Sequence, residues 1–144
     1  MAEAHLVVAC ALILFNAVAF AFGGIAWIRD RASIPFWYLL RVAQLTVFLQ
    51  ALLGGLLVFT GREADGDLHV IYGLLPLVVS FLAEGARAGA AEREVRDIDV
   101  EALPAAAQQQ VALAIVRREM GIMAVSCGVI LFLGLRAAGT SSAF

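Results

Sequence analysis

The sequence contains no lysine, and charged residues make up only 15% of its 144 positions. Soluble domains are about 25% charged and about 45–50% apolar. Here 62% of the residues are hydrophobic, and the mean hydropathy is +0.92. This composition excludes an ordinary soluble domain and predicts an integral membrane protein. The length suits a single membrane domain, 1–144, with four spans and no room for a separate enzymatic domain.

A basic excess is also absent. Ten arginines stand against twelve carboxylates, so the net charge is −2. Proteins that bind nucleic acids use an excess of positive charge to displace counterions from phosphates. We therefore do not expect a nucleic acid as a partner.

Cysteine is scarce, and Cys10 and Cys127 lie far apart inside apolar runs. The sequence has no C-x-x-C spacing, which excludes a zinc ribbon and a thioredoxin-like pair. For the same reason the chain does not resemble the four-helix quinone-linked thiol oxidoreductases. We expect two small buried side chains, or a disulfide if both sulfurs lie at similar depth toward the oxidising face. The first apolar run offers Asn16 where small multidrug transporters use a carboxylate. We assign no catalytic residue.

Long apolar runs are what the sequence has in abundance, at about residues 6–28, 35–60, 68–84 and 119–138. About 20 such residues cross a hydrocarbon core of roughly 30 Å as a helix. We therefore predict an all-α integral membrane protein, a four-transmembrane-helix bundle of up-down-up-down topology. The first run is too long for the core of a signal peptide and no positive residue precedes it, so we expect it to be retained. The short connection between the second and third runs predicts antiparallel neighbours.

Residues 84–119 are polar and carry five arginines and seven carboxylates. This composition predicts an exposed helical hairpin that extends the third and fourth spans beyond the bilayer. With Arg29 and Arg31, the hairpin places seven arginines on one side, against Arg62 and Arg136 on the other. The positive-inside rule then puts the hairpin in the cytoplasm and both termini outside the plasma membrane.

The third span carries its polar groups on one face. At about 100° per residue, the positions within about 60° of His69 are Gly73, Pro76, Ser80, Glu84 and Arg87, with Tyr72 at the edge. Lipid cannot form hydrogen bonds with these groups, so we expect this interior stripe to face the bundle. The favoured interpretation is helix packing, with Gly73 and Ser80 allowing close contact. The alternative is a cofactor or ion site lined by His69, Tyr72 and Ser80.

Small residues in other spans are a second packing signal. Gly121, Ala124 and Gly128 occupy one face of the fourth span, and Gly54 and Gly55 lie within the second. Small residues let helix backbones approach closely, so we expect helix contacts at these positions.

Arg41 and Glu84 are expected to form a structural polar pair. Arg41 lies about 9 Å from the inner start of the second span, and Glu84 about 24 Å from the outer start of the third. Their depths nearly match in a core of about 30 Å, and an unpaired charge there costs several kcal/mol. Gln44 is available as a further hydrogen-bond partner. The alternatives are that both side chains snorkel to the surface, or that they form a proton or substrate relay.

His5 and His69 are the only candidates for metal ligands. Both are expected at the outer surface, with His5 just before the first span. Two imidazoles from facing helices are an arrangement that ligates haem b axially, and Gly73 and Tyr72 would give room and a hydrogen bond to a propionate. No carboxylate-rich ligand set surrounds the histidines, so zinc or di-iron is less expected.

Two functions follow from these features. The favoured one is a non-catalytic membrane subunit or scaffold whose charged hairpin docks a membrane or cytoplasmic protein, with a merely solvated hairpin as the alternative. The second is a haem b electron-transfer protein that uses His5 and His69. Besides the lipid bilayer and such a partner, oligomerisation through a second copy of the chain stays open.

Overall fold

The computed structural model describes residues 2–61 and 66–140, and these residues form four α-helices without a β-strand. The helices are α1 (Ala2–Ile28), α2 (Ile34–Phe59), α3 (Asp67–Val95) and α4 (Ala105–Ala138). Each helix is long and apolar enough to cross a membrane. The predicted all-helical fold is therefore confirmed. Arg62, which the orientation argument counts, lies outside the described residues.

The turn between α1 and α2 follows from its local sequence. Asp30 adopts a left-handed conformation with φ 53°, which reverses the chain direction. Ser33 then caps α2, because its Oγ accepts a hydrogen bond from the Phe36 N–H at 3.3 Å. Pro35 lies in the first turn of α2, where its missing N–H leaves no hydrogen bond unmade. These residues make α1 and α2 antiparallel neighbours.

Three helix ends extend beyond the apolar runs. α1 begins at Ala2, so His5 lies within the first helix and not before it. α3 and α4 continue past their apolar segments, as predicted for the hairpin, and residues 96–104 form the turn between them. Pro104 stands immediately before α4, where a proline does not interrupt helical hydrogen bonds.

Helix α4 organises the bundle and holds the largest set of buried residues. It packs extensively against α1 and α3, and α1 also packs against α2. The predicted contact between α2 and α3 is present, but it is the least extensive of the four interfaces between neighbouring helices. As a result, α1 and α3 lie across the bundle from each other.

Small residues on α4 receive large side chains from α1. A Cβ atom at Gly121 would lie 2.7 Å from Trp27 Cε2, and one at Gly128 would lie 3.0 Å from the Phe20 ring. One at Gly134 would lie 2.9 Å from Leu12 Cδ2. The close approach expected for this face of α4 is therefore present, with α1 and α4 antiparallel.

Two other glycines do not have the expected packing role. A Cβ atom at Gly55 or Gly73 would meet no described atom within 4 Å. The expectation that these positions make close helix contacts is wrong, because both face open space. At Gly54, by contrast, a Cβ atom would lie 3.2 Å from His5 Cε1.

Phe36 lies at the centre of the core, where α1, α2 and α4 meet. It is fully buried and packs in a cluster with Leu40, Met120 and Met123. A Cβ atom at Gly23 would lie 2.4 Å from Phe36 Cε2, so only glycine fits there without displacing the ring.

We predict opposite effects from alanine substitutions at two adjacent glycines of α1. Gly23→Ala forces the buried Phe36 ring to move and should destabilise the protein by about 1–3 kcal/mol. Gly24→Ala is the matched control, because its Cβ would meet no described atom within 4 Å. That substitution should stabilise the helix by up to about 1 kcal/mol. Thermal unfolding in detergent, followed by circular dichroism, measures both; equal shifts would contradict the packing at Gly23.

Candidate functional site

The structure brings the two histidines together at the end of the bundle where α1 begins and α4 ends. The ring centroids of His5 and His69 are 6.3 Å apart, with the ring planes inclined by 58°. His5 lies in the first turn of α1 and His69 in the first turn of α3. Because α1 and α3 are diagonal in the bundle, the two imidazoles meet across its axis.

Hydrogen bonding sets the tautomer of His69. Its Nδ1 lies 3.1 Å from the backbone oxygen of Ala137 in α4. A carbonyl oxygen only accepts, so Nδ1 donates and carries the proton. In the neutral imidazole the Nε2 atom then has a free lone pair. A histidine held by a backbone carbonyl in this way is the usual form of a metal ligand.

His5 is held by α2. Gln50 Nε2 lies 3.1 Å from His5 Nε2, and because an amide nitrogen only donates, His5 Nε2 accepts. The Gln50 Oε1 atom is buried and has no hydrogen-bond partner among the described residues. Gln50 was not predicted as a site residue, and the available signal was an amide within an otherwise apolar segment.

Tyr72 and Arg136 lie at the same end of the bundle. The Arg136 guanidinium carbon is 5.7 Å from the centroid of the Tyr72 ring, a cation–π contact between α3 and α4. Gly73, one turn after His69, borders open space. The histidine cluster, defined here as His5, Gln50 and His69, is thus flanked by a phenol and a guanidinium.

The remaining stripe residues of α3 belong to other parts of the molecule. Pro76 is fully buried, and the Ser80 hydroxyl oxygen is buried without a hydrogen-bond partner among the described residues. Ser80 lies eleven positions after His69, which is about 16 Å along a helix. The structure therefore does not bring His69, Tyr72 and Ser80 together into one site.

At the opposite half of the bundle the structure brings Arg41 and Glu84 together. Arg41 Nη1 lies 2.6 Å from Glu84 Oε1, and Gln44 Nε2 donates to the same oxygen at 2.8 Å. Arg41 also donates to Gln44 Oε1 at 2.7 Å. The side chains of Arg41 and Glu84 are 55% and 29% exposed, so the pair is partly open to its surroundings.

Two further charged residues extend this network to α4. Arg87 Nε donates to Glu84 Oε2 at 2.8 Å, and Arg87 Nη1 lies 3.4 Å from Glu119 Oε1. Glu119 was not predicted as a partner, because its apposition depends on the rotation of α4. Arginine does not release its proton in proteins, so a chain of arginine–carboxylate pairs is poorly suited to a proton relay. The network is better suited to holding α2, α3 and α4 together.

Two more ion pairs link the hairpin helices and the first turn. Arg117 Nε lies 2.7 Å from Asp30 Oδ1, and Arg118 Nη1 pairs with Glu94 Oε1. Arg93 and Arg96 form no ion pair within residues 2–61 and 66–140.

Neither cysteine forms a disulfide, and the possible metal ligands of the described residues do not cluster in groups of three or more. Cys127 is buried as expected, but Cys10 is exposed because it shares an outward face of α1 with Val7 and Leu14; both thiols are free. Across the described segments there is no group of three or more His, Cys, Asp or Glu residues able to hold a metal ion.

Comparisons with known protein families, curated proteins and solved structures find no match for this chain. The function is therefore argued from its own residues.

We predict that Arg41 and Glu84 are energetically coupled. Glu84→Gln should lower the free energy of unfolding by about 1–3 kcal/mol, because Glu84 accepts hydrogen bonds from three side chains. Arg41→Gln should lower it by less. The double variant should cost less than the sum, with a coupling of about 0.5–1 kcal/mol for this partly exposed pair. Unfolding in detergent measures all three variants. Strict additivity would indicate that the two side chains act independently, as in snorkelling.

Proposed function

We propose that the chain is an integral membrane protein of the plasma membrane with four spans. Large apolar side chains point away from the bundle along every helix, including Ile28 at 79%, Phe59 at 91% and Phe81 at 68% exposure. Soluble monomers rarely expose contiguous apolar patches beyond a few hundred Å². A hydrocarbon environment removes the cost of exposing this surface to water.

The charge distribution supports an orientation with the hairpin in the cytoplasm and both termini outside. Arg29 and Arg31 follow α1, and the Arg117–Asp30 ion pair joins this turn to the base of the hairpin. The basic segments therefore share one end, which the positive-inside rule assigns to the cytoplasm. Trp27 and Tyr38 lie at the same end, at the level where aromatic side chains mark a membrane surface.

We predict that a cysteine at Ala102 is labelled by an impermeant maleimide only after the membrane is opened. A cysteine at Glu3 should be labelled in intact cells, and both positions are exposed. Cys10→Ala and Cys127→Ala remove the natural thiols from the background. Labelling of the Ala102 position in intact cells, with protection of the Glu3 position, would reverse the orientation.

For the outer end of the bundle we propose binding of a b-type haem, with His5 and His69 as the axial ligands and one-electron transfer as the function. The 6.3 Å distance between the ring centroids is the observation that carries the proposal. Two imidazoles that bind one metal from opposite sides would have metal–nitrogen bonds of about 2 Å, and each nitrogen lies about 1.1 Å from its ring centre. Their ring centres would therefore be about 6 Å apart.

The number of ligands favours haem over a bare metal ion. A zinc site needs three or four protein ligands, and the described residues offer no such group. Haem brings four nitrogens of its own and needs two axial ligands, which is the number of histidines present. Ala137 would orient His69, and Gln50 would release the Nε2 atom of His5 to the iron.

The surroundings of His69 also suit this group. Gly73 borders open space one turn along the same face of α3, which favours accommodation of a flat macrocycle. Arg136 and Tyr72 supply a positive charge and a phenol at the level where propionates would leave the bundle. In this proposal the chain supplies ligands, orientation and charge, and the cofactor supplies the redox chemistry.

We predict that the protein purified from cells with ample haem shows a Soret band and the spectrum of six-coordinate, low-spin iron. His5→Ala and His69→Ala should each remove one axial ligand and convert or abolish that spectrum. Gln44→Ala is the control, because it removes a side-chain hydrogen bond at the opposite end. A colourless wild-type protein would overturn the proposal, as would a spectrum insensitive to both histidine substitutions.

A second candidate function is docking of a protein partner on the cytoplasmic hairpin. Val95, Ile98 and Leu113 are exposed on the hairpin, beyond the apolar segments that lipid would cover. Arg93 and Arg96 lie among them without an ion pair in the described part of the chain. Exposed apolar side chains surrounded by charge are typical of a protein interaction surface.

We predict that a photo-crosslinking residue at Ile98 or Leu113 gives one discrete adduct in cells. The same residue at Phe81, in the apolar part of α3, is the control and should crosslink to lipid. Ile98→Glu should remove the adduct formed from position 113. The absence of any protein adduct from both hairpin positions would leave a solvated hairpin as the correct description.

A further inference from the structure

A groove of about 670 Å³ lies along the surface of α4, between the C-terminal ends of α1 and α3. Its main lining residues are Trp27, Glu94, Arg117, Arg118, Gly121 and Val125. None of them belongs to the histidine cluster or to the network around Glu84. The proposed functions therefore leave this groove without a role.

Polarity changes along the groove in the direction of the helix axis. Arg117 and Arg118 lie beside the turn that follows α1, since Arg117 pairs with Asp30. Gly121 and Val125 follow one and two turns further into the apolar part of α4. Arg118 and Val125 are about 10 Å apart along the helix. The groove thus has a charged end at the membrane surface and an apolar end toward the membrane interior.

Trp27 and Val125 line the apolar end of the groove. The Trp27 indole covers Gly121, where a Cβ atom would lie 2.8 Å from Trp27 Nε1. Val125 also lines the groove and is half exposed. An acyl chain fits such a surface, and a headgroup would then lie beside the two arginines.

Two ion pairs without net charge lie at the polar end. Arg117 pairs with Asp30 at 2.7 Å, and Arg118 pairs with Glu94. A guanidinium carries five N–H donors, so each arginine has donors left for a phosphate. Both arginine side chains are more than half exposed. The adjacent carboxylates are acceptors that an ammonium group would complement.

We infer that this groove binds a zwitterionic aminophospholipid of the phosphatidylethanolamine class. Arg117 and Arg118 hold the phosphate, Glu94 faces the ammonium group, and one acyl chain runs along Val125 beside Trp27. An anionic lipid such as phosphatidylglycerol lacks the ammonium group and leaves the carboxylates facing a negative headgroup. The inference rests on the proposed membrane location of the chain.

Quenching of Trp27 fluorescence by brominated lipids tests the inference. Trp37→Phe leaves Trp27 as the sole tryptophan. In mixed vesicles, brominated phosphatidylethanolamine should bind beside Trp27 about fivefold better than brominated phosphatidylglycerol, as expected for roughly one favourable charge contact. Glu94→Gln should shift this preference toward phosphatidylglycerol by about the same factor. Arg118→Gln should weaken quenching by both lipids, and Arg136→Gln, at the other end, should change neither.

The outcomes separate this inference from the proposed membrane location. Equal quenching by the two lipids, unaffected by Glu94→Gln, indicates ordinary surrounding lipid and overturns the inference while the membrane location stands. No quenching by either lipid overturns both. Native mass spectrometry of the unmodified chain, purified from an equimolar mixture, provides a second measurement. Retention of phosphatidylglycerol in place of phosphatidylethanolamine would likewise contradict the assigned headgroup.

Discussion

The close packing of α1 against α4 is the contact on which the rest of the bundle depends. Trp27 lies over Gly121, Phe20 over Gly128 and Leu12 over Gly134, so the two antiparallel helices have one register along their shared length. That register places Arg117 beside Asp30 at one end. At the other end, α4 presents the Ala137 carbonyl to His69. Helix α2 then packs on α1 and helix α3 on α4, and the contact between α2 and α3 is the weakest of the four interfaces.

Polar groups are distributed in a way that suits a membrane. Three buried polar residues between the two ends use carbonyls of their own helices: Asn16 donates to Leu12, Thr46 to Ala43 and Ser126 to Met123. Such local hydrogen bonds satisfy a polar group without requiring a partner helix. The groups that need a partner from another helix are gathered near the two ends. One end holds imidazole and amide groups with Arg136 stacked on Tyr72, and the other holds paired arginines and carboxylates.

Hydropathy and depth are enough to predict the four helices, the helical hairpin and the meeting of Arg41 with Glu84. The helices and the hairpin depend on the length and composition of each run. The contact of Arg41 with Glu84 depends on the matching depths of two antiparallel helices. Gln50 and Glu119 could not be assigned in this way, because their partners are decided by how each helix is rotated about its own axis. That rotation follows from side-chain packing at Gly23, Gly121 and Gly128, which the spacing of polar residues does not encode.

The two ends of the molecule are connected through the same two helices. Helix α3 carries His69 at its start and Glu94 near its end, and α4 carries Arg118 in the hairpin and Ala137 beside His69. Pro76 interrupts the hydrogen bonding of α3 between these points and is fully buried, so the position at which α3 would bend lies inside the core. The orientation of His69 depends on α4 through the Ala137 carbonyl, and the hairpin end of α3 depends on the same helix through the ion pair of Glu94 with Arg118.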